Sequence, residues 1–310
     1  MNFRTLDLNL LRVFDAVMSE RSLTRAAQVL AITQPAASQA LKRLHGALGE
    51  PLFIRNAFGM TPTPKAEALW PQVRNALAEL QLALAPDSFD PQTQAVSFRL
   101  AMTDATAVLL APALVAESER ERALCKLRFH PLTTSDPRRL LQQGEVDLAV
   151  GHFPDTVTAL RAAGRDATLR HAQLYDTRYV CVMRQGHPLA GQPLTLDAYC
   201  AAHHLLASST GRAQGYVDQA LTALGRQRHV VMSVNQYYTA GLVVTQSDLL
   251  TVLPRAFLPA TGHASALVVR ELPFDLGAMQ VCMVWHMRRD AEPAHRWLRL
   301  RVQRAAGVQP

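Results

Sequence analysis

Gln34, Ser38 and Lys42, and beside them Pro35, Gln39 and Arg43, form two adjacent rows at four-residue steps, which gathers them on one side of an α-helix turning by about 100° per residue. That side carries amides, a hydroxyl and two cations, and no carboxylate. A merely solvated helix face usually mixes both signs of charge. A face of this composition suits phosphate oxygens and base edges, because glutamine can pair bidentately with adenine, lysine with guanine, and serine with several bases. Thr33 precedes the run as an N-cap, and Pro35 is compatible with a first helical turn. Arg43, Arg55 and Thr61 are of the type that grips phosphate, and His45 near the helix end adds a cation that complements the helix dipole.

Other reactive residue types form no recognisable constellation. Cys125, Cys181, Cys200 and Cys282 are far apart and make no CxxC pair, so neither a zinc site nor a disulfide framework is expected. Cys200 stands near His203 and His204, a grouping that suggests a metal or redox switch less readily than a buried thiol beside ordinary histidines. Asp147 and His152 are close, but no nucleophile accompanies them. GxSxG, HExxH and a glycine-rich phosphate loop are all missing, so an enzyme is not expected.

The elements that must position the basic face read clearly. Leu8, Leu10, Leu11, Phe14, Val17 and Met18 mark one helix; Ser22 caps a second with Leu23, Ala26, Ala27 and Leu30 as its stripe. Ala37, Ala40, Leu41 and Leu44 are the buried side of the third. Residues 51–55 and 60–62 form a hairpin about a turn at Asn56-Ala57-Phe58-Gly59. Thr63 and Pro64 then open a longer helix whose Ala66, Trp70, Val73, Leu77, Leu80 and Leu84 step by 4, 3, 4, 3, 4, the seam of a short helix pair between two subunits. Residues 86–94 form a polar linker. Beyond it, strands near 96–102, 127–132, 147–151, 179–183, 230–234, 249–253 and 281–286 alternate with helices near 105–119, 137–143, 215–225 and 291–304, the pattern of βαβ units.

The chain has 310 residues and a net charge of +7, enough for about two domains and favourable to anionic partners. No apolar run is long enough to span a membrane, and the first residues do not read as a secretory signal, so a cytoplasmic location is expected.

Ala26-Ala27, Thr33-Gln34-Pro35-Ala36, Ser38, Leu41, Leu44, Leu48-Gly49, Pro51-Leu52-Phe53, Arg55 and Thr63 together resemble the DNA-binding segment of LysR-type transcriptional regulators. In the second half, residues 98–104, 144–151, 178–181, 217–221, 285–286 and 294–298 are similar to the branch with nodulation and nitroaromatic or salicylate regulators. The chain departs at position 45, where His stands in place of the family's common Glu.

The resemblance implies an α/β protein with a winged helix-turn-helix at about 1–62, a linker helix and hinge at 63–94, and an effector-binding domain at 95–310. That last domain would be a periplasmic-binding-protein-like pair of subdomains, the first about 95–168 with 266–310, the second about 169–265. The implied partners are double-stranded DNA, a small organic effector and further copies of the chain as a dimer of dimers, with RNA polymerase an open fourth; no cofactor is implied. Strand ends and helix starts then place Thr103, Thr133, His152, Phe153, Thr177, Thr210, Arg212, Gln236 and Tyr237 around an effector. Arg212 could clamp a carboxylate, and Phe153 with Tyr237 could sandwich a ring, which points to a small, anionic, aromatic ligand. An envelope solute-binding protein and a regulator without an effector remain as rival readings.

Overall fold

The computed structural model describes residues 6–56, 59–84, 88–208 and 214–308. The chain divides into two compact units, Met1–Pro86 with Gln142–Glu145, and Asp87–Leu141 with Val146–Pro310.

In the first unit, α1 (Asn9–Glu20), α2 (Leu23–Val29) and α3 (Gln34–Leu48) pack around Phe14, Val17, Ala26, Ala27, Ala37, Leu41 and Leu44. Ala26 and Ala27 are nearly inaccessible, and their small side chains let the other two helices approach closely. Ser22 and Thr33 cap as the sequence predicts: their hydroxyls accept from the N–H groups of Arg25 and Ala36. Helix α3 ends at Gly49, whose φ of +80° allows its N–H to return to the His45 carbonyl at 2.8 Å. Strands β1 (Phe53–Asn56) and β2 (Gly59–Pro62) pair antiparallel, Ile54 opposite Thr61 and Arg55 opposite Met60. Of the turn expected at 56–59, Asn56 and Gly59 belong to the paired strands, and residues 57 and 58 lie outside the described residues. Met60 N–H donates to the Arg21 carbonyl and ties the hairpin to the helices.

Helix α4 (Pro64–Ala83) departs from the expected seam. Ala66 and Val73 are buried in the chain's own helical core, with Trp70 and Leu77 packed beside them. The indole Nε1–H of Trp70 donates to Asp15 at 2.7 Å, and Arg74 lies over the ring. Only Leu80 and Leu84 remain open, at 50% and 84% exposure. A 4-3 apolar pattern satisfies a neighbouring helix of the same chain as well as a partner, and here its first half takes the former.

The second unit runs β3 (Ser97–Met102), α5 (Asp104–Arg120), β4 (Lys126–Pro131), α6 (Arg138–Gln142), β5 (Leu148–Gly151), α7 (Pro154–Ala163) and β6 (Leu169–Thr177). It continues through β7 (Tyr179–Arg184), α8 (Leu196–Ala201), β8 (His203–Ala207), α9 (Tyr216–Ala223), β9 (His229–Val234), α10 (Tyr237–Thr245), β10 (Thr251–Pro254) and β11 (Leu267–Arg270). It returns in β12 (Met279–His286) and closes with α11 (Pro293–Ala305).

One sheet has the order β4-β3-β5-β12-β6; a second has β10-β7-β11, and β8-β9 joins its margin through the bridge His204↔Leu250. The predicted βαβ alternation therefore makes two sheets, each the centre of a subdomain. The subdomain boundaries shift, however. β6 pairs along its whole length with β12, and β11 pairs with β7, so the crossings fall at Arg178 and at residues 271–278 rather than near 168 and 266.

Asp147, 4% exposed, fastens the first subdomain. Its carboxylate accepts from Arg99 Nη2 at 2.9 Å and Arg99 N at 2.8 Å, and pairs with Arg289 Nη2 at 3.0 Å. His295 donates from Nε2 to the Asp147 carbonyl at 3.0 Å while its Nδ1 accepts from Arg299. Burial holds that imidazole down at about 4, and hence neutral, which fits this pattern. Asp147 is thus a brace, not part of a reactive pair with His152. In the second subdomain, Arg228 grips Asp218 through Nε at 2.8 Å and Nη2 at 3.0 Å and secures α9. His204 is buried with its Nε2 on the Tyr199 carbonyl at 2.7 Å, while His203 is exposed, so the Cys200 neighbourhood gathers no ligand set.

Candidate nucleic-acid interface and effector cleft

Helix α3 presents Pro35, Gln39, Lys42 and Arg43 exposed, with Gln34 and Ser38 half-buried beside them, while Ala37, Leu41 and Leu44 face the core. The predicted face is therefore assembled, with Thr33 at its N-terminal edge. Arg55 and Thr61 lie on the hairpin strands, Thr61 exposed. Two features qualify the expectation. Asp7 approaches the face from outside α3 and accepts from Arg43 Nη2 at 3.2 Å; this pair is exposed, and such pairs are weak. His45 is half-buried, and burial pushes its pKa below the usual 6.5, so it does not act as the cation expected at the helix end.

The second unit brings Thr103, His152, Thr177 and Tyr237 together in a cleft between its two sheets. Each stands where a strand ends or a helix begins. Thr103 caps α5 by accepting from Thr106 N–H, and the two hydroxyls meet at 3.1 Å. His152 follows β5, bonds the Gln280 carbonyl through Nδ1 at 2.9 Å, and sets its ring edge-on to Tyr216, 5.4 Å away on α9. The Thr177 hydroxyl accepts from Ala256 N–H at 3.3 Å. Tyr237 opens α10 with its hydroxyl 3.3 Å from that of Tyr179. Burial pushes both phenol groups up, so they remain neutral.

The other predicted cleft residues fare differently. Thr133 is exposed, and Thr134 and Ser135 line the cleft instead. Phe153 is 1% exposed in the core with Leu132 and Leu160; Gly151 has no side chain, and an added Cβ would meet the Phe153 ring at 2.8 Å, so the ring folds back into that space. Gln236 is exposed at the N-cap position of α10. Thr210 and Arg212 lie outside the described residues.

Sequence reasoning missed Thr106, Tyr175, Tyr179 and Tyr216, all of which line the cleft. Tyr216 is the first residue of α9, the same helix-start signal that had singled out Tyr237, whereas Tyr179 opens a strand, a position that signal does not select. The described lining contains no Lys, Arg, Asp or Glu. As it stands, the described lining leaves a free volume of about 90 Å³, less than the roughly 150 Å³ that admits a benzene ring.

A capped helix with a hairpin beside it, in a chain that also carries a two-sheet domain with a cleft between the sheets, has the parts of a helix-turn-helix DNA-binding regulator with a ligand-binding domain. The chain belongs to the LysR family: residues 8–67 match the bacterial regulatory helix-turn-helix protein, lysR family, and residues 91–307 match the LysR substrate binding domain. It is similar to the HTH-type transcriptional activator NahR of Pseudomonas putida, 34% identical over 300 residues that cover 96% of this chain and 97% of the relative. It is similar also to the HTH-type transcriptional regulator SyrM 1 of Sinorhizobium fredii, 33% identical over 97% of this chain and 86% of that one. Among solved structures, a probable transcriptional regulator, PA0477 from Pseudomonas aeruginosa, superposes with a TM-score of 0.76 at 29% identity, covering 99% of this chain and 98% of that chain. The chain is thus a transcription regulator of the LysR type, and no helix among its described residues is long and apolar enough to cross a membrane.

Proposed function

We propose that the protein binds an operator sequence specifically and is controlled by a small, anionic, aromatic effector held between the two subdomains. The convergence of Thr103, His152, Thr177 and Tyr237 on one cleft carries this reading. The Thr103 and Thr177 hydroxyls and the His152 ring supply hydrogen-bonding groups there, while Asp104 in the first turn of α5 already accepts from the Tyr238 N–H at the start of α10. Arg212 is the proposed partner of the effector's carboxylate. Because the cleft is tight as it stands, an effector shifts the protein toward a more open arrangement of the sheets, and differential affinity for the two arrangements is the source of control. On the DNA side, Thr33, Gln34, Pro35, Ser38, Gln39 and Lys42 meet bases or adjoining backbone in a major groove, and Arg43, Arg55 and Thr61 meet phosphate.

The protein acts in the cytoplasm as a dimer of dimers, with RNA polymerase as a downstream partner. Support for assembly comes from Leu80 on α4 and Leu84 just past its end, and from two edge strands, β4 with exposed Phe129 and β9 with exposed Val231 and Met232.

A thermal-unfolding screen with small aromatic carboxylates and their neutral amides tests the effector reading. A cognate acid at about one hundred times its Kd adds about 2.7 kcal/mol, which raises Tm by several degrees, and the Thr103→Val variant loses most of that gain. Failure of every acid to stabilise the protein would favour a regulator whose second domain serves assembly alone.

A further inference from the structure

The two crossings between subdomains line a second hollow, an open groove of about 1010 Å³. It shares Thr177, Tyr179 and Ala256 with the cleft, so the crossing strand is the wall between them. Leu272, Phe274 and Leu276 give it an apolar lining, and its size is that of an ordinary small-molecule site.

Its charged groups are unevenly matched. Arg178 and Arg255 both direct Nη2 at a single oxygen, Oε1 of Glu271. Two guanidinium groups thus share one carboxylate oxygen. The Arg255 Nε–H, on the same edge of that guanidinium, is buried and has no acceptor. Two further carboxylates stand on its rim, held by neutral donors: Asp176 accepts from the Gln173 amide at 2.7 Å and Asp275 from Gly277 N–H at 2.7 Å. A guanidinium edge with an orphaned N–H and a half-used second donor has the geometry that a carboxylate fills bidentately.

We infer that this hollow is a second ligand site, distinct from the cleft, for a small organic monocarboxylate. The acid joins Arg255 and Arg178, and the apolar body lies on Phe274 and its leucine neighbours. Glu271 occupies the anion's place when the site is empty. Because both crossings line the hollow, its occupant responds to the angle between the subdomains, and the two ligands are thermodynamically linked through that angle.

The test uses 4-fluorobenzoate as probe, followed by ¹⁹F NMR with the full-length protein. Expected is a saturable bound signal that survives His152→Ala, a change confined to the cleft, and weakens about tenfold in both Arg255→Gln and Arg178→Gln. Glu271→Gln is expected to tighten binding severalfold, because it removes the competing carboxylate. A merely structural role for the trio predicts the opposite sign for Glu271→Gln. Weaker binding in that variant, a signal abolished by His152→Ala, no cleft-independent signal at all, or equal displacement by benzyl alcohol each overturns the assignment. Loss of binding in the cleft alone bears on the effector reading and leaves this one standing.

Discussion

Replacing Asp147 with alanine is expected to cost the second unit about 3–5 kcal/mol of stability, read as a lower urea midpoint with an unchanged denaturant slope. The carboxylate is nearly inaccessible and serves two guanidinium groups and a backbone N–H at once. Its removal leaves Arg289 beside Glu292 alone and Arg99 with no carboxylate in reach among the bonds described. The pH dependence follows from the same contacts. Burial alone would push the acid up, but Arg99 and then Arg289 outweigh it and hold its pKa at about 2, below the ordinary 3.8. A folded-state pKa below the unfolded value means that the stabilisation is complete above about pH 4 and is lost as pH falls through about 2. Its size is about 2 kcal/mol. Urea titrations of the wild type and Asp147→Asn across that window should therefore converge at the acid end. Parallel curves would show that the carboxylate's charge is not what braces β3, β5 and α11.

The second large effect is expected on α3. Lys42 is exposed on the recognition face, so Lys42→Glu leaves the helical core intact. Loss of a base or phosphate contact, with a negative charge now facing the polyanion, should weaken operator binding on the order of a hundredfold. The slope of log affinity against log salt should fall by about one if the contact is to phosphate. Arg161→Glu on α7 changes the net charge equally from an exposed position in the other unit, and it should change operator affinity by far less. Similar losses in the two variants would reduce the role of Lys42 to overall charge.

The helices of the first unit were legible because each buries one clean stripe and the last three carry their own start signals. Ser22, Thr33 and Thr63 cap as their types demand, and Ala26 and Ala27 mark a close approach. The α4 pattern was legible as periodicity but not as partner, since Ala66 and Val73 meet their own chain. In the second unit, β5 and β7 stand out as buried apolar runs. β6 does not: Leu169-Arg170-His171-Ala172-Gln173 alternates weakly on a strand at the end of its sheet, and without it the crossing was placed too early. Strand order and the partnership of β6 with β12 depend on contacts more than a hundred residues apart, beyond any local pattern. The cleft followed the rule of strand ends and helix starts at Thr103, His152, Thr177 and Tyr237. The rule erred at Phe153, because an aromatic after a glycine can fold back into the space the glycine leaves.

The most direct measurement is a fluorescence-anisotropy titration of the full-length protein with DNA from just upstream of its own gene, beside a random duplex, at several salt concentrations. A sequence-specific regulator binds one duplex at least about a thousandfold more tightly than the random one, and the preference survives added salt better than the absolute affinity does. Equal, salt-sensitive binding to both duplexes would contradict sequence-specific recognition of that site by the α3 face.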